Sequence, residues 1–179
     1  GLDFGHSECR LAYCANGQPV ALAEATRLSQ VWLCDNRVEV PSAKDRDLIP
    51  QDVALDLKSR LGATAAIRFN RHNVAPVALA TQVMQAVREA GEQHLRQPLR
   101  RAMVVVPAHA SEPQRAATRA AAQSAGFVET KLISETLAAA IAAHKARGDE
   151  GWYLVYHWGA GPFETSLIRV AGQRYEVAS

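Results

Sequence analysis

Two segments far apart in the chain repeat one pattern: a strand-like apolar run, a glycine-bearing turn, a second run and a second turn. The first is Leu2-Asp3-Phe4-Gly5-His6-Ser7, which leads into Glu8 to Ala15 and turns at Asn16-Gly17. The second is Tyr156-His157-Trp158-Gly159-Ala160-Gly161, which leads into Phe163 to Val170 and turns at Ala171-Gly172. Glycine at such a turn lets backbone N–H groups approach a phosphate closely, because no Cβ stands in the way. Two of these hairpins facing each other form a clamp for the phosphate chain of a nucleotide. The repeat therefore predicts a duplicated, two-lobed phosphate-binding protein of which this chain is only part.

Composition narrows the classes. With 179 residues and 48% apolar content the chain can bury a core of its own. A net charge of +2 is too weak a bias to argue for nucleic acid. No run of about 18 apolar residues predicts a membrane span, and no secretory leader is visible at the start. Cys9, Cys14 and Cys34 are odd in number and lack CxxC spacing, and Cys9 and Cys14 point to opposite faces of one strand. They read as free thiols, which places the chain in the cytoplasm.

Along the chain the pattern is α/β. Leu2 to Phe4, Cys9 to Ala15 and Pro19 to Ala23 are expected as strands, and Val31 to Cys34 with Arg37 to Val40 as a hairpin across Asp35-Asn36. Pro41 to Asn73 is polar and broken, with a short helix expected around Val53 to Leu61. Val77 to Leu95 carries Val77, Leu79, Ala80, Val83, Met84 and Val87 at helical period. Ala102 to Val106 is wholly apolar, as expected of a buried parallel strand. Ser111-Glu112-Pro113 starts a helix that closes at Gly126: a capping serine, an early acid and a proline in the first turn. Val128 to Ile133 is a strand, and Ser134 to Arg147 is an alanine-rich helix ending at Gly148. Trp152 to Tyr156, Phe163 to Val170 and Arg174 to Ala178 close the chain as three strands. The order is one complete repeat followed by the opening strands of a second.

Several runs resemble one family in unbroken order. They are Ala102-Met103-Val104-Val105-Val106-Pro107-Ala108, Gln114-Arg115-Ala116-Ala117-Thr118, Ala125-Gly126 and Ile133-Ser134-Glu135-Thr136-Leu137-Ala138-Ala139-Ala140. They resemble the nucleotide-binding domain of the DnaK-type seventy-kilodalton heat-shock chaperones. Gly1-Leu2-Asp3-Phe4-Gly5 is similar to that family's GIDLGTT, Ser42-Ala43-Lys44 to its AAK, and Leu57 to Gly62 to its KRLIG. His157 to Glu164 is similar to its DLGGGTFD.

The resemblance implies an α/β, actin-like ATPase (ribonuclease H-like) fold with two lobes around a cleft. It implies a first lobe over residues 1–148 and the first three strands of a second over 149–179. Adenosine would be held mainly by a part of the second lobe outside this sequence, so the piece alone is expected to bind ATP no better than millimolar. The implied cofactor of the whole protein is ATP or ADP with Mg²⁺. Nucleotide would be its first partner. A client protein and a J-domain co-chaperone would be others, the latter through Lys131, where the family carries an arginine. Strands 152–178 are expected to leave apolar side chains (Tyr153, Val155, Phe163, Leu167, Ile168, Tyr175, Val177) uncovered, and so either to drive self-association or to be poorly ordered.

Site residues follow from the same resemblance. Asp3 matches the first metal-side carboxylate, Lys58 the lysine that neutralises phosphate charge, and Glu135 the glutamate that positions metal-bound water. Pro107 and Arg115 match the interlobe switch. Gly5, His6 and Ser7 on the first turn, and Gly159, Ala160, Gly161 and Pro162 on the second, are the expected phosphate contacts. His157 takes the place of an aspartate that acts with Asp3 at the metal. His6 and Pro162 each replace a threonine, Ala160 a glycine, and Thr136 a proline. One reading is a degenerate member with little hydrolysis. A second is an active chaperone ATPase. Others are a rebuilt transition-metal site on Asp3, His6, Glu135 and His157, or an actin-like kinase relative. His72, His94 and His109 read as solvated loop or helix-end residues, and Arg96, Arg100 and Arg101 as helix-end cations.

Overall fold

Alternating apolar residues build the first strands. In a computed structural model that describes residues 1–35, 37–48 and 50–178, Leu2–Phe4 (β1) pairs antiparallel with Glu8–Ala15 (β2). Gln18–Leu28 (β3) pairs antiparallel with β2 across Asn16 (φ 51°) and Gly17 (φ 79°). Leu2, Phe4, Cys9 and Leu11 are buried, while Cys14, on the opposite parity, is exposed. β3 runs past its expected end at Ala23, because Ala25 and Leu28 continue the buried set after a register shift opposite Cys9 and Leu11.

Val31–Cys34 (β4) lies between Arg37–Glu39 (β5) and Asp52–Ala54 (β6) in a small antiparallel sheet. The expected turn at Asp35-Asn36 lies partly outside the described residues. The single helix expected over Val53 to Leu61 is split: Val53 and Ala54 pair with Trp32 and Val31, and only Leu57–Arg60 (α1) is helical. Asp56 stands between them in the left-handed region (φ 58°), which stops the helix from extending backwards. The polar stretch also holds an unexpected hairpin, Ile67–Phe69 (β7) and His72–Val74 (β8). Its turn residues, Asn70 and Arg71, adopt positive φ without glycine. The Asn70 N–H donates to Asp52 Oδ2 at 2.7 Å, tying this hairpin to β6.

Pro76–Leu95 (α2), Arg101–Val106 (β9), Glu112–Ser124 (α3), Glu129–Ser134 (β10) and Glu135–Arg147 (α4) follow. β9 pairs parallel with both β1 and β10, giving the sheet order β10-β9-β1-β2-β3. β9 is covered on one face rather than two: Ala102, Val104 and Val106 are buried but Met103 is 40% exposed. Leu79, Val83, Met84 and Val87 of α2 and Ala121 and Ala122 of α3 pack with Leu2, Phe4 and Val104 in the main core. Truncating one of those large side chains to alanine costs about 2–5 kcal/mol.

Gly151–His157 (β11), Glu164–Ala171 (β12) and Arg174–Val177 (β13) form a second antiparallel sheet. Ala171 pairs with Arg174, so the closing turn is Gly172-Gln173, one position later than expected. α4 covers one face of this sheet. Ala140 with Ile168 and Val170 forms a second core, joined by Leu137, Tyr153, Val155 and Tyr175. Tyr153, Val155, Ile168 and Tyr175 are therefore covered, contrary to expectation. The uncovered face belongs to Trp152, Leu154 and Tyr156, each at least 60% exposed, with Leu167, which pairs with Leu154. Among the described residues no helix is long and apolar enough to cross a membrane.

Candidate functional site

Parallel strands put their carboxyl ends along one edge of a sheet, where ligands collect in folds of this type. β1 ends there and delivers Asp3. β10 ends there too and passes into α4 through Ser134, whose side chain caps the helix. That makes Glu135 the first helical residue, where the helix dipole favours a carboxylate. The second sheet adds the loop between β11 and β12, and α1 adds Lys58. These elements enclose a cavity of about 220 Å³.

Nearly every residue expected at the site reaches this one cavity. Asp3, Lys58, Glu135 and His157 line it. Gly5, His6 and Ser7 line it from the first turn, and Gly159, Ala160 and Gly161 from the second. Pro162 is exposed and is not on the wall. The two glycine turns meet directly. A Cβ on Gly161 would fall 2.1 Å from His6 Cε1, so the imidazole of the first turn fills the space that glycine leaves in the second. Gly5 is needed for a different reason: its N–H donates to the Glu8 carbonyl at 2.9 Å, and a Cβ there would sit 2.8 Å from that oxygen.

The electrostatics centre on Glu135. Its Oε1 accepts from the buried Lys58 ammonium, and its Oε2 lies 2.9 Å from His157 Nδ1. Lys58 keeps only 6% of its side chain exposed, so removing either partner would strand a buried charge at a cost of about 3–5 kcal/mol. Burial pushes the Asp3 carboxyl up from its ordinary range, against the pull of Lys58. Burial and the Lys58 charge push the His6 imidazolium down from its ordinary range, which favours the neutral ring. Its Nε2 lies 3.1 Å from Ser59 Oγ, which donates to Asp56 at 2.8 Å. Thr136, fully buried, shares a hydrogen bond with Ser166 at 2.8 Å and ties the start of α4 to β12. Arg115 donates to the Ala110 carbonyl at 3.1 Å.

Sequence reasoning missed four residues here. Glu8 and Arg10 line the cavity and pair at 2.7 Å, and Glu8 also pairs with Arg46. Glu164 faces His157 directly across β11 and β12 and keeps only 4% of its side chain exposed. Its Oε2 accepts the Ala108 N–H at 3.1 Å, and His109, expected as a solvated loop residue, brings Nδ1 to 2.6 Å from its Oε1. The signal for Glu164 was parity: it shares a strand face with Ser166, Ile168 and Val170, where an acid is out of place. Among the described residues the side chains close enough to share an ion are Glu135, His157 and Glu164, with ligand atoms within 4.8 Å of one another.

Residues 35–179 match the Hsp70 protein family model. This chain belongs to the Hsp70 family. Membership carries the actin-like ATPase fold, with which the mixed sheets and the cleft-edge site agree. The chain is also 27% identical over 176 residues to the chaperone protein DnaK of Mycoplasma mycoides subsp. mycoides SC, an alignment covering 95% of this chain. It spans about 30% of that relative's length.

Proposed function

We propose that this chain is the N-terminal part of the nucleotide-binding domain of an Hsp70-type chaperone in which ATP hydrolysis is strongly weakened. The observation that carries this reading is the single cavity in which both glycine turns meet above Asp3, Lys58 and Glu135. Backbone N–H groups of the two turns and the Lys58 ammonium suit the phosphate chain of ATP or ADP. Asp3 and Glu135 suit the hydration shell of Mg²⁺, which would supply charge neutralisation on the phosphate oxygens.

The weakening follows from the same wall. Lys58 is tied to Glu135 and must leave it to reach a phosphate. His6 puts a ring that favours its neutral form in the space between the turns. His157 brings an imidazole rather than a carboxylate to the metal side, and Ala160 adds a Cβ to the second turn. Loss of one preorganised donor typically costs about a hundredfold or more in rate. The retained trio of Asp3, Lys58 and Glu135 favours the competing reading of an active chaperone ATPase. Client release and co-chaperone docking belong to either reading. Lys131, exposed on the edge strand β10, supports a co-chaperone contact through charge without the bidentate fork of an arginine. Three unpaired cysteines support a cytoplasmic setting.

Phosphate release from MgATP by the longest expressible form of the protein separates the two readings. Turnover about a hundredfold or more below an unaltered member supports the weakened site. Turnover at family level overturns it.

A further inference from the structure

The placement of Glu135, His157 and Glu164 follows from two simple pieces of geometry. Antiparallel register sets His157 and Glu164 opposite each other at the loop end of the β11–β12 hairpin. Directly opposed residues stand with Cβ atoms about 5 Å apart. The first residue of α4 then brings Glu135 Oε2 to 2.9 Å from the imidazole Nδ1.

Two further observations separate this group from a solvated acidic patch. Glu164 Oε1 is buried and accepts no hydrogen bond. The His109 ring nitrogen lies at 2.6 Å, in ion-pair range, but is not directed to make that bond. A buried carboxylate oxygen without a partner is costly, on the order of 1–3 kcal/mol or more. Charge is the second observation. Asp3 and Glu135 share the cavity wall and Glu164 faces His157 beside it, while the buried Lys58 is already paired to Glu135 and Arg10 to Glu8. An excess of negative charge remains, and it surrounds an imidazole.

We propose that Glu135, His157 and Glu164 form a direct-ligation site for a divalent transition ion, zinc or manganese in chemistry. One imidazole with two carboxylates suits such ions, whereas Mg²⁺ takes oxygen ligands and keeps its waters. Zinc bonds of about 2.0–2.2 Å put tetrahedral ligands about 3.4 Å apart, so the group must contract by roughly an ångström. His157, whose side chain is 46% exposed at the start of a loop, is free to make that movement. His109 stands against Glu164 from outside the group. Three protein ligands leave a position open to water or to a phosphate oxygen. The site needs no nucleotide, so it stands or falls apart from the ATPase reading.

The test is titration of the 179-residue chain with Zn²⁺ by calorimetry and with Co²⁺ by visible absorption, both without nucleotide. One ion per chain at micromolar affinity is expected, with cobalt absorption bands of low coordination number. His157→Ala and Glu164→Gln should each weaken binding by about tenfold or more. Mg²⁺ at millimolar concentration should not displace the ion. Glu164→Gln keeps an acceptor for the Ala108 N–H, and unchanged circular dichroism checks its fold. Should it unfold, His157→Ala, at a half-exposed position, decides alone. No binding below millimolar, equal binding by the His157→Ala chain, or displacement by Mg²⁺ at equal concentration would each overturn the proposal.

Discussion

His157 and His6 place neutral-capable rings where the Hsp70 pattern has an acid and a hydroxyl, and the consequences differ. His157 contacts Glu135 and faces Glu164, so its ring stands among the carboxylates. His6 sits on Gly161 and closes the gap between the turns. Replacing both together with the exposed proline, as His6→Thr, His157→Asp and Pro162→Thr, should raise ATP turnover of the longest expressible form by about a hundredfold. Phosphate release measured on the triple variant checks it, and no gain would overturn the reading that these residues weaken hydrolysis. Cys9 makes a separate residue-scale case. Full burial pushes its thiol far above the ordinary range, with the nearby Asp3 charge adding to the shift. A folded thiol that holds its proton longer than the unfolded one lowers stability as pH rises above about 8.5. The thiolate is also absent at pH 8, so a maleimide should label exposed Cys14 quickly and Cys9 only at the rate of unfolding. Mass spectrometry of a labelling time course reads this directly. Rapid labelling of all three cysteines would contradict it.

Among the elements, helices with chemical end signals were legible, and the short strands β6, β7 and β8 were not. α3 begins where Ser111 announces it: the Ser111 N–H donates to Gln114 Oε1 at 2.9 Å while Ser111 Oγ accepts the Gln114 N–H at 3.5 Å. Ser111→Ala should cost about 1 kcal/mol. For a chain of this size that is a fall in Tm of about 2–4 °C, measurable by calorimetry. The same serine cap marks α4, and Gly148 closes it in the left-handed region. β6, β7 and β8 carry no such signals. β6 exists because β4 is beside it, and the β7–β8 turn uses Asn70 and Arg71 in place of a glycine. Their pairing partners are remote in sequence or their turns unusual, so local pattern under-reported them.

On the scale of the whole molecule, the uncovered face of the second sheet is the outstanding surface. Trp152, Leu154 and Tyr156 alternate outward along β11, an edge strand, and Trp158 follows at 84% exposure. Apolar faces with an open edge recruit another chain. The 179-residue chain should therefore associate as its concentration rises, and Trp152→Lys with Leu154→Lys should restore the monomer. Light scattering over a concentration series checks both. A monodisperse monomer at high concentration would remove the expectation.

The amino-acid order alone carries the α/β alternation, the two glycine turns and most of the cavity wall, because hydrophobic period, helix caps and glycine act over a few residues. Asp3, Lys58 and Glu135 were legible for a different reason: each sits in a run that resembles one family. Tertiary structure decided which side chains share the site. Strand parity marks Glu164 as inward-facing, but β11–β12 register set it opposite His157, and the loop after β9 brought His109 to it. The split of the expected helix at Asp56 and the cover that α4 gives to one face of the second sheet were decided in the same way. Pairing and burial depend on what lies across space, and a side chain's neighbours along the chain do not report that.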